Sequence, residues 1–476
     1  MLNDKHRPKF SFLVLAVVAI ILFRFVLTFT IPLLDRTEAR YAEIARLMVE
    51  TGEWVVLQID YNIPFWAKPP LSTWLSALSF KLFGINELAA RLPSFLLSIS
   101  LIFILHSFVK KRNISFFLLA FVLVTTPQYL LHAGVVSTDT VLAFCVTMMM
   151  LSFWKAMSSE NSLLWKYLFF VFLGLGLLAK GPLVLVLTGP PLFVWALLQK
   201  DVLKQLLTKL PWLIGLPITL LIAMPWYFLT EQRSPGFVDY FIVGEHFNRF
   251  LESGWRGDLY GKPKSQAIGM IWLFLMAFAF PWVQIVFYWL WKRRKEIWKD
   301  KWISFLTLWL LWTPLFFTLS KNVLHTYILP VMAPVALIIC CMWHEYRFKK
   351  LALGIASVFP IVVFITFLFI YTPGRLDFYL NTDKHFMVMG NLNNSKNTQS
   401  VYYWKNKSYS GQFYSHGKAE LIKDTTTFEA ILSENSNKYY VVIDNDDIKK
   451  MPWLYFERLE IIHRNYRTTL FVHKDE

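Results

Sequence analysis

Read along its length, the chain alternates long apolar runs with short charged links. The first run covers 10–34, behind a basic start that reads Met-Leu-Asn-Asp-Lys-His-Arg-Pro-Lys. It is too long for a signal-peptide core, and no small-residue cleavage site follows, so it reads as a first span. Further apolar runs lie at about 91–109, 113–131, 140–157, 164–179, 181–198, 211–229, 265–291, 302–319, 326–343 and 351–371. A helix needs about 20 apolar residues to cross the hydrocarbon layer. The pattern predicts 11 spans, and 11 to 13 if the amphipathic stretch 33–90 hides a short one.

Successive spans put their links on alternate faces. The links at 110–112, 155–166, 199–210, 291–301 and 344–350 all carry Lys or Arg. The links of the other parity, 33–90 and 230–264, nearly balance acids and bases. Cytoplasmic loops are the ones enriched in Lys and Arg. The pattern therefore predicts a cytoplasmic N-terminus. It places 33–90, 132–139, 230–264, 320–325 and everything from about 372 on the opposite face.

The last hundred residues change character. They are polar, rich in Asn, Lys, Tyr and Asp, with short strand-favouring runs at 400–404, 439–444 and 468–472. They predict a small soluble α/β domain over 372–476, following an all-α polytopic membrane domain over 1–371. There is no internal repeat, and the only biased tract is an Asn-rich link at 391–397.

Composition supports this division. Of 476 residues, 56% are hydrophobic and only 17% charged, against about a quarter charged in a soluble globular chain. A disordered chain, a soluble nucleic-acid binder and a disulfide scaffold are excluded. The net charge of +16 fits basic cytoplasmic links rather than nucleic acid. Cys145, Cys340 and Cys341 all sit in apolar runs and offer neither a disulfide framework nor a metal spacing.

The loop 33–90 concentrates the polar chemistry. It opens LLDRTEARYAEIA (33–45) and continues through TGEW (51–54) to FWAKPPL (65–71). Asp35 and Glu38 have the spacing of a capping box, and Arg40, Glu43 and Arg46 that of a surface helix. The same carboxylates beside arginines also suit a site that binds an anion and removes a proton. Lys68, held before two prolines and after Phe65 and Trp66, places a cation beside aromatic rings. That suits a lipid phosphate or a sugar, as well as plain interfacial anchoring. Elsewhere on the same face lie Asp139 after Ser137, where a helix N-cap is the simpler reading, then Lys180, the cluster His246, Arg249 and Arg256, and finally Lys321 and His325. Singly, each is a solvated charge; together they gather acids, cations and histidines at one membrane face. There is no Gly-rich phosphate loop, HExxH or Gly-x-Ser-x-Gly motif, so a nucleotide-driven reaction is not indicated.

These motifs resemble a known family. DRTEARYAEIA, TGEW, FWAKPPL and FGINELAARLPS look like the first loop of the GT-C class integral-membrane glycosyltransferases. The resemblance is to the bacterial lipid A aminoarabinose transferases (glycosyltransferase family 83), and more distantly to the protein O-mannosyltransferases. It continues through TDTVLAF (138–144), LLAKGP (177–182), EHFNRF (245–250), DLYGKP (258–263) and LSKNVLHTYILP (319–330), covering about 10–345. The resemblance implies inverting transfer of a sugar from a polyprenyl (undecaprenyl) phosphate to lipid A or a related envelope glycolipid. The reaction would take place on the periplasmic face of a bacterial inner membrane, with membrane lipids but no nucleic acid as partners. It implies substrate-binding roles for Arg40, Tyr41, Lys68, Lys180, His246, Arg249, Lys321 and His325.

The match departs from the family at two places. Thr37 stands where relatives carry the carboxylate usually assigned as catalytic, leaving Asp35, Glu38 and Asp139 as candidate catalytic carboxylates. Ala67 replaces the glutamate that, with a histidine matching His246, can hold a divalent metal in relatives, which counts against a metal here. A protein O-glycosyltransferase using the same donor, and a lipid or sugar transporter, are the competing readings.

Overall fold

A computed structural model describes residues 10–474, apart from 160–161, 253–254, 262–265, 373–374, 394–398 and 434–438. The basic N-terminal stretch, most of the Asn-rich link and the end of the DLYGKP motif lie outside the described residues. Among those described, seven helices are long and apolar enough to cross a membrane, from Phe12–Thr30 to Lys349–Tyr371. Met270–Phe278 and Trp282–Lys292 together are long and apolar enough for one further span and meet at a bend of 108°, around Phe280-Pro281. Phe116–Thr125, Leu183–Leu198 and Lys301–Phe317 are shorter apolar helices. Each apolar run of the sequence carries one or two helices, but among the described residues only seven, or eight with the bent pair, are long enough to span, fewer than the 11 to 13 expected; the chain is a multi-pass membrane protein. Polar atoms cannot hydrogen-bond to lipid, so each span satisfies its backbone internally as a helix.

The outer helices Trp212–Arg233 and Lys349–Tyr371 keep most of their surface uncovered by protein, whereas Thr138–Ser158 is largely enclosed. Apolar side chains on an uncovered face are what a bilayer solvates.

The loop 33–90 is built rather than loose. Helices Thr37–Thr51 and Leu71–Phe83 flank a small antiparallel pair, Gln58–Asp60 with Ile63–Pro64. Here the capping-box expectation fails. The first helix begins at Thr37 behind Arg36 without a side-chain cap. Its supposed surface face is interior: Glu43 and Arg46 are buried and doubly hydrogen-bonded, at 2.7 Å each.

The C-terminal region carries a five-stranded sheet in the order Ala419–Ile422, Val401–Trp404, Tyr440–Asp444, Thr468–His473, Leu459–Arg464. The first two pairings are parallel and the last two antiparallel. The three strand-favouring runs of the sequence became strands. Ala419–Ile422 and Leu459–Arg464 were not anticipated, because their apolar alternation is weaker.

This sheet region is fastened to the loop 33–90. Lys407 reaches Asp60 at 2.5 Å, and Lys384 reaches Glu87 at 2.5 Å. The Tyr414 hydroxyl donates to Glu87 at 3.0 Å and accepts from the Leu33 amide at 2.8 Å.

Glu38 is a strut of the loop. Its two oxygens accept from Arg91 at 2.8 and 2.6 Å, and from the amides of Val136 and Leu34. Arg91 in turn donates to the carbonyls of Thr28, Ile31 and Pro32. Burial pushes the Glu38 carboxyl up, but the Arg91 charge and hydrogen bonds outweigh it and hold it below the ordinary range. Its stabilisation is therefore present at neutral pH and lost as acid protonates it. Removing one partner of a buried ion pair costs about 3–5 kcal/mol because the other charge is left unpaired. Arg91→Leu should lower unfolding stability on that scale for the full chain in detergent, and the Glu38→Leu/Arg91→Leu double variant should lose less than Arg91→Leu alone. A single-variant loss below about 1 kcal/mol, the range of an exposed pair, contradicts the strut.

Candidate functional site

A cavity of about 1370 Å3 opens where helix ends, the loop 33–90 and the C-terminal sheet region meet. Its polar wall is assembled from segments far apart in the chain.

The segment Asp239–Asn248 is wound as a wider, π-type helix, a form common at functional sites. It aims Glu245 into the cavity. Lys68 donates to Glu245 at 2.7 Å and to the Ala67 carbonyl at 2.5 Å. Arg249, one turn on, spans both Glu245 oxygens at 3.1 and 2.9 Å and lies 3.7 Å from Asp258. Burial raises the Glu245 carboxyl, but Lys68 and then Arg249 more than offset this and hold it at about 2. Two cations thus converge on one carboxylate that stays ionised at any physiological pH.

A second pair stands close by. Lys180 ends the helix Leu163–Lys180 and donates to Asp139, with the Tyr327 ring centre 4.5 Å from its ammonium. Ser137 caps the helix of Asp139 by accepting from the Asp139 amide at 3.1 Å, as its sequence position suggested. Gly181 follows Lys180 at φ +67°, and a Cβ there would stand 2.7 Å from the Phe241 ring. Only glycine lets the chain turn there so close to the π-helical segment.

Arg40 is held differently. It donates to the Tyr260 carbonyl at 2.9 Å and lies 5.3 and 5.5 Å from the ring centres of Tyr41 and Phe65. Its Nε is buried without a hydrogen-bond partner among the described residues. Tyr41, Thr37 and Ala67 also line the cavity.

Asp35 faces the cavity from the start of the loop, and both its oxygens accept from Ser410 in the C-terminal region, through the backbone amide at 3.1 Å and the hydroxyl. Burial, reinforced by the nearby Asp383 carboxylate, raises its carboxyl to about 6.

The structure therefore brings Asp35, Arg40, Tyr41, Lys68, Asp139, Lys180, His246 and Arg249 to one cavity. Four expected residues are not among its lining residues, one of them Arg256, which is exposed. Glu38 is spent on Arg91. Lys321 is exposed although its neighbours Ser320 and Asn322 line the wall. His325 packs among the helices, stacked at 4.7 Å on Phe278 with Nδ1 3.1 Å from Gln128.

The two positions that the sequence linked to a divalent metal are 67 and 246. Position 67 is alanine. The His246 nitrogens lie 2.7 and 3.2 Å from the carbonyls of Phe241 and Lys180, so neither is a free ligand. No group of three His, Cys, Asp or Glu side chains among the described residues is placed to hold a metal.

Sequence reasoning missed Glu245, though its spacing to Arg249 was a readable signal of an i, i+4 ion pair. It also missed the wall supplied by Asn381, Lys407, Tyr409, Asp444 and Arg467. Nothing local marks these residues, because what puts them there is docking across more than 300 positions of sequence (Lys407 to Asp60, for example).

Comparison with known proteins follows the same lines. Residues 9–241 match the family model described as dolichyl-phosphate-mannose-protein mannosyltransferase. Among curated relatives, the undecaprenyl phosphate-alpha-4-amino-4-deoxy-L-arabinose arabinosyl transferase 2 of Pseudomonas fluorescens (strain Pf0-1) is 30% identical over 315 residues, 63% of this chain and 54% of the relative. The corresponding transferase of Yersinia pestis (strain Pestoides F) is 30% identical over 333 residues, 66% of this chain and 57% of its own. The matches thus span little more than half the length of these relatives. In fold, the chain is similar to ArnT from Cupriavidus metallidurans in the apo state, with a TM-score of 0.76 at 17% identity and 98% of each chain covered. The same protein bound to undecaprenyl phosphate gives 0.73 at 18% identity, again covering 98% of each chain.

Proposed function

We propose that this chain, which has the GT-C fold and resembles the aminoarabinose transferases of lipid A, is a membrane glycosyltransferase. It moves a sugar from undecaprenyl phosphate to lipid A or a related envelope glycolipid. The observation that carries this reading is the convergence of Lys68 and Arg249 on Glu245, inside a cavity at the ends of membrane helices. A lipid phosphate has the charge and hydrogen-bonding capacity to replace that carboxylate between the two cations.

The chemistry follows from the placement. The bond between the anomeric carbon and the phosphate oxygen breaks, and its electron pair leaves on the phosphate. Lys68 and Arg249 are placed to stabilise that charge as it develops. The acceptor oxygen attacks the opposite face, so configuration inverts. Where the acceptor is a hydroxyl, its proton passes to a cavity carboxylate; an ionised phosphate acceptor needs no base. Asp35 and Asp139 line the cavity, but Asp139 is engaged by Lys180. We therefore assign the base role to Asp35, whose carboxyl burial raises to about 6, and leave Glu38 a structural part.

A transporter would carry its charges at mid-membrane on broken helices. Here they cluster at helix ends beneath the C-terminal region, which favours transfer. The family match over 9–241 keeps a protein acceptor as the second reading. We place the protein in a bacterial inner membrane, with the cavity and C-terminal region on the periplasmic face.

Three outcomes test this reading. Purified protein given undecaprenyl phosphate-4-amino-4-deoxyarabinose and lipid A should yield glycosylated lipid A by mass spectrometry, with Lys68→Ala lowering turnover about a hundredfold, on the scale of 3 kcal/mol. Undiminished transfer by Lys68→Ala removes the phosphate site. In the same assay Asp35→Asn should lose most activity, while Asp139→Asn and Glu38→Gln should be judged after correction for folded protein. Full activity in all three contradicts the hydroxyl-acceptor mechanism. Finally, a topology reporter fused after the C-terminus should be active on the periplasmic side, and a cytoplasmic signal reverses the orientation.

A further inference from the structure

The side-chain hydrogen bonds of Asp35, the proposed base, come from the C-terminal region. The Ser410 amide and hydroxyl both donate to it. The Ser410 hydroxyl also accepts from the Asp383 amide at 2.9 Å. Asp383 is almost fully buried. Its Oδ2 accepts from the Tyr403 hydroxyl at 3.0 Å and from the Ser408 hydroxyl, while its Oδ1 has no hydrogen-bond partner among the described residues. A buried carboxylate with an unsatisfied oxygen is costly, and the fold keeps one a single serine away from a cavity carboxylate. Arg467 balances it incompletely, at 3.8 Å from Asp383, with its short bond going to Asn381 at 2.7 Å. The backbone ties run the same way: the Asp35 amide donates to the Asn381 carbonyl at 2.8 Å, and the Asn381 side chain donates to the Asp35 carbonyl at 3.1 Å.

We propose that Asp383 and Ser410 are positioning residues for Asp35, so that the C-terminal region completes the catalytic site by orienting the base and setting its proton affinity. This inference rests on the assignment of Asp35 as the base. It gives the C-terminal region a role in the chemistry, and it explains how the chain can operate with Thr37 at the family's carboxylate position.

The two residues act on Asp35 with opposite sign. The Asp383 charge disfavours ionised Asp35, whereas the two Ser410 hydrogen bonds favour it. Among the other charged or titratable groups around Asp35, Arg467 favours its ionisation, the cations Arg36 and Arg40 share the cavity wall with it, and the phenols of Tyr403 and Tyr409 stay neutral in this range because burial raises them. Activity that needs ionised Asp35 should rise with pH through about 6.

The test is the pH dependence of kcat/KM in the full chain, with undecaprenyl phosphate-4-amino-4-deoxyarabinose and lipid A. Asp383→Asn should move the ascending limb down by roughly one pH unit. Ser410→Ala, a milder change that leaves the backbone amide bond, should move it up. Displacement in opposite directions supports positioning, because a merely structural lesion lowers the rate without moving the limb. Limbs unmoved in both variants, or moved the same way, overturn the inference while leaving Asp35 as base. If Asp35→Asn itself keeps the wild-type limb, the base assignment fails and the inference falls with it.

Discussion

A charge in a cavity walled by apolar helix ends is costly to keep ionised unless an opposite charge stands beside it. Desolvating either partner alone costs several kcal/mol. Most cations of this cavity obey that constraint. Lys68 and Arg249 share Glu245, and Lys180 takes Asp139. Arg40 departs from it, packed among aromatic rings and a carbonyl, where the ring faces supply the negative potential. The helix ends, the π-helical segment and the loop 33–90 are arranged so that these pairs meet.

The same constraint explains how the site can bind. The carboxylate between Lys68 and Arg249 holds both cations charged and oriented before any substrate arrives. On the proposed reading, an incoming phosphate exchanges one anion for another: Glu245 moves away from at least one of the two cations, which keep their places. Preorganised cations of this kind are the larger part of what a protein contributes when a charged leaving group departs. The C-terminal region closes the opposite wall, and its Ser410 bond to Asp35 makes the cavity a joint product of two parts of the chain.

The sequence reads well where one interaction dominates. Each span is legible because lipid permits little but apolar helix, and the runs from 91–109 to 351–371 all became helical elements. The membrane-face motifs were legible as a group, since Lys68, Asp139, Lys180, His246 and Arg249 do share one cavity. Individual roles were less legible. Asp35 and Glu38 have a capping spacing, yet one bonds Ser410 and the other Arg91, partners 375 and 53 positions away. His325 looked like a ligand on the same face but is consumed by packing against Phe278. Lys321, two residues past Leu319, turns outward because only its neighbours face the wall. Local spacing says which side of a helix a residue takes; long-range docking decides whether that side is a cavity, a core or solvent.

The most direct test of this account is a structure of the full chain with undecaprenyl phosphate bound. The account places the phosphate between Lys68 and Arg249, with Glu245 drawn away from at least one of them. A phosphate bound elsewhere, with the Lys68–Glu245–Arg249 bonds intact, contradicts it.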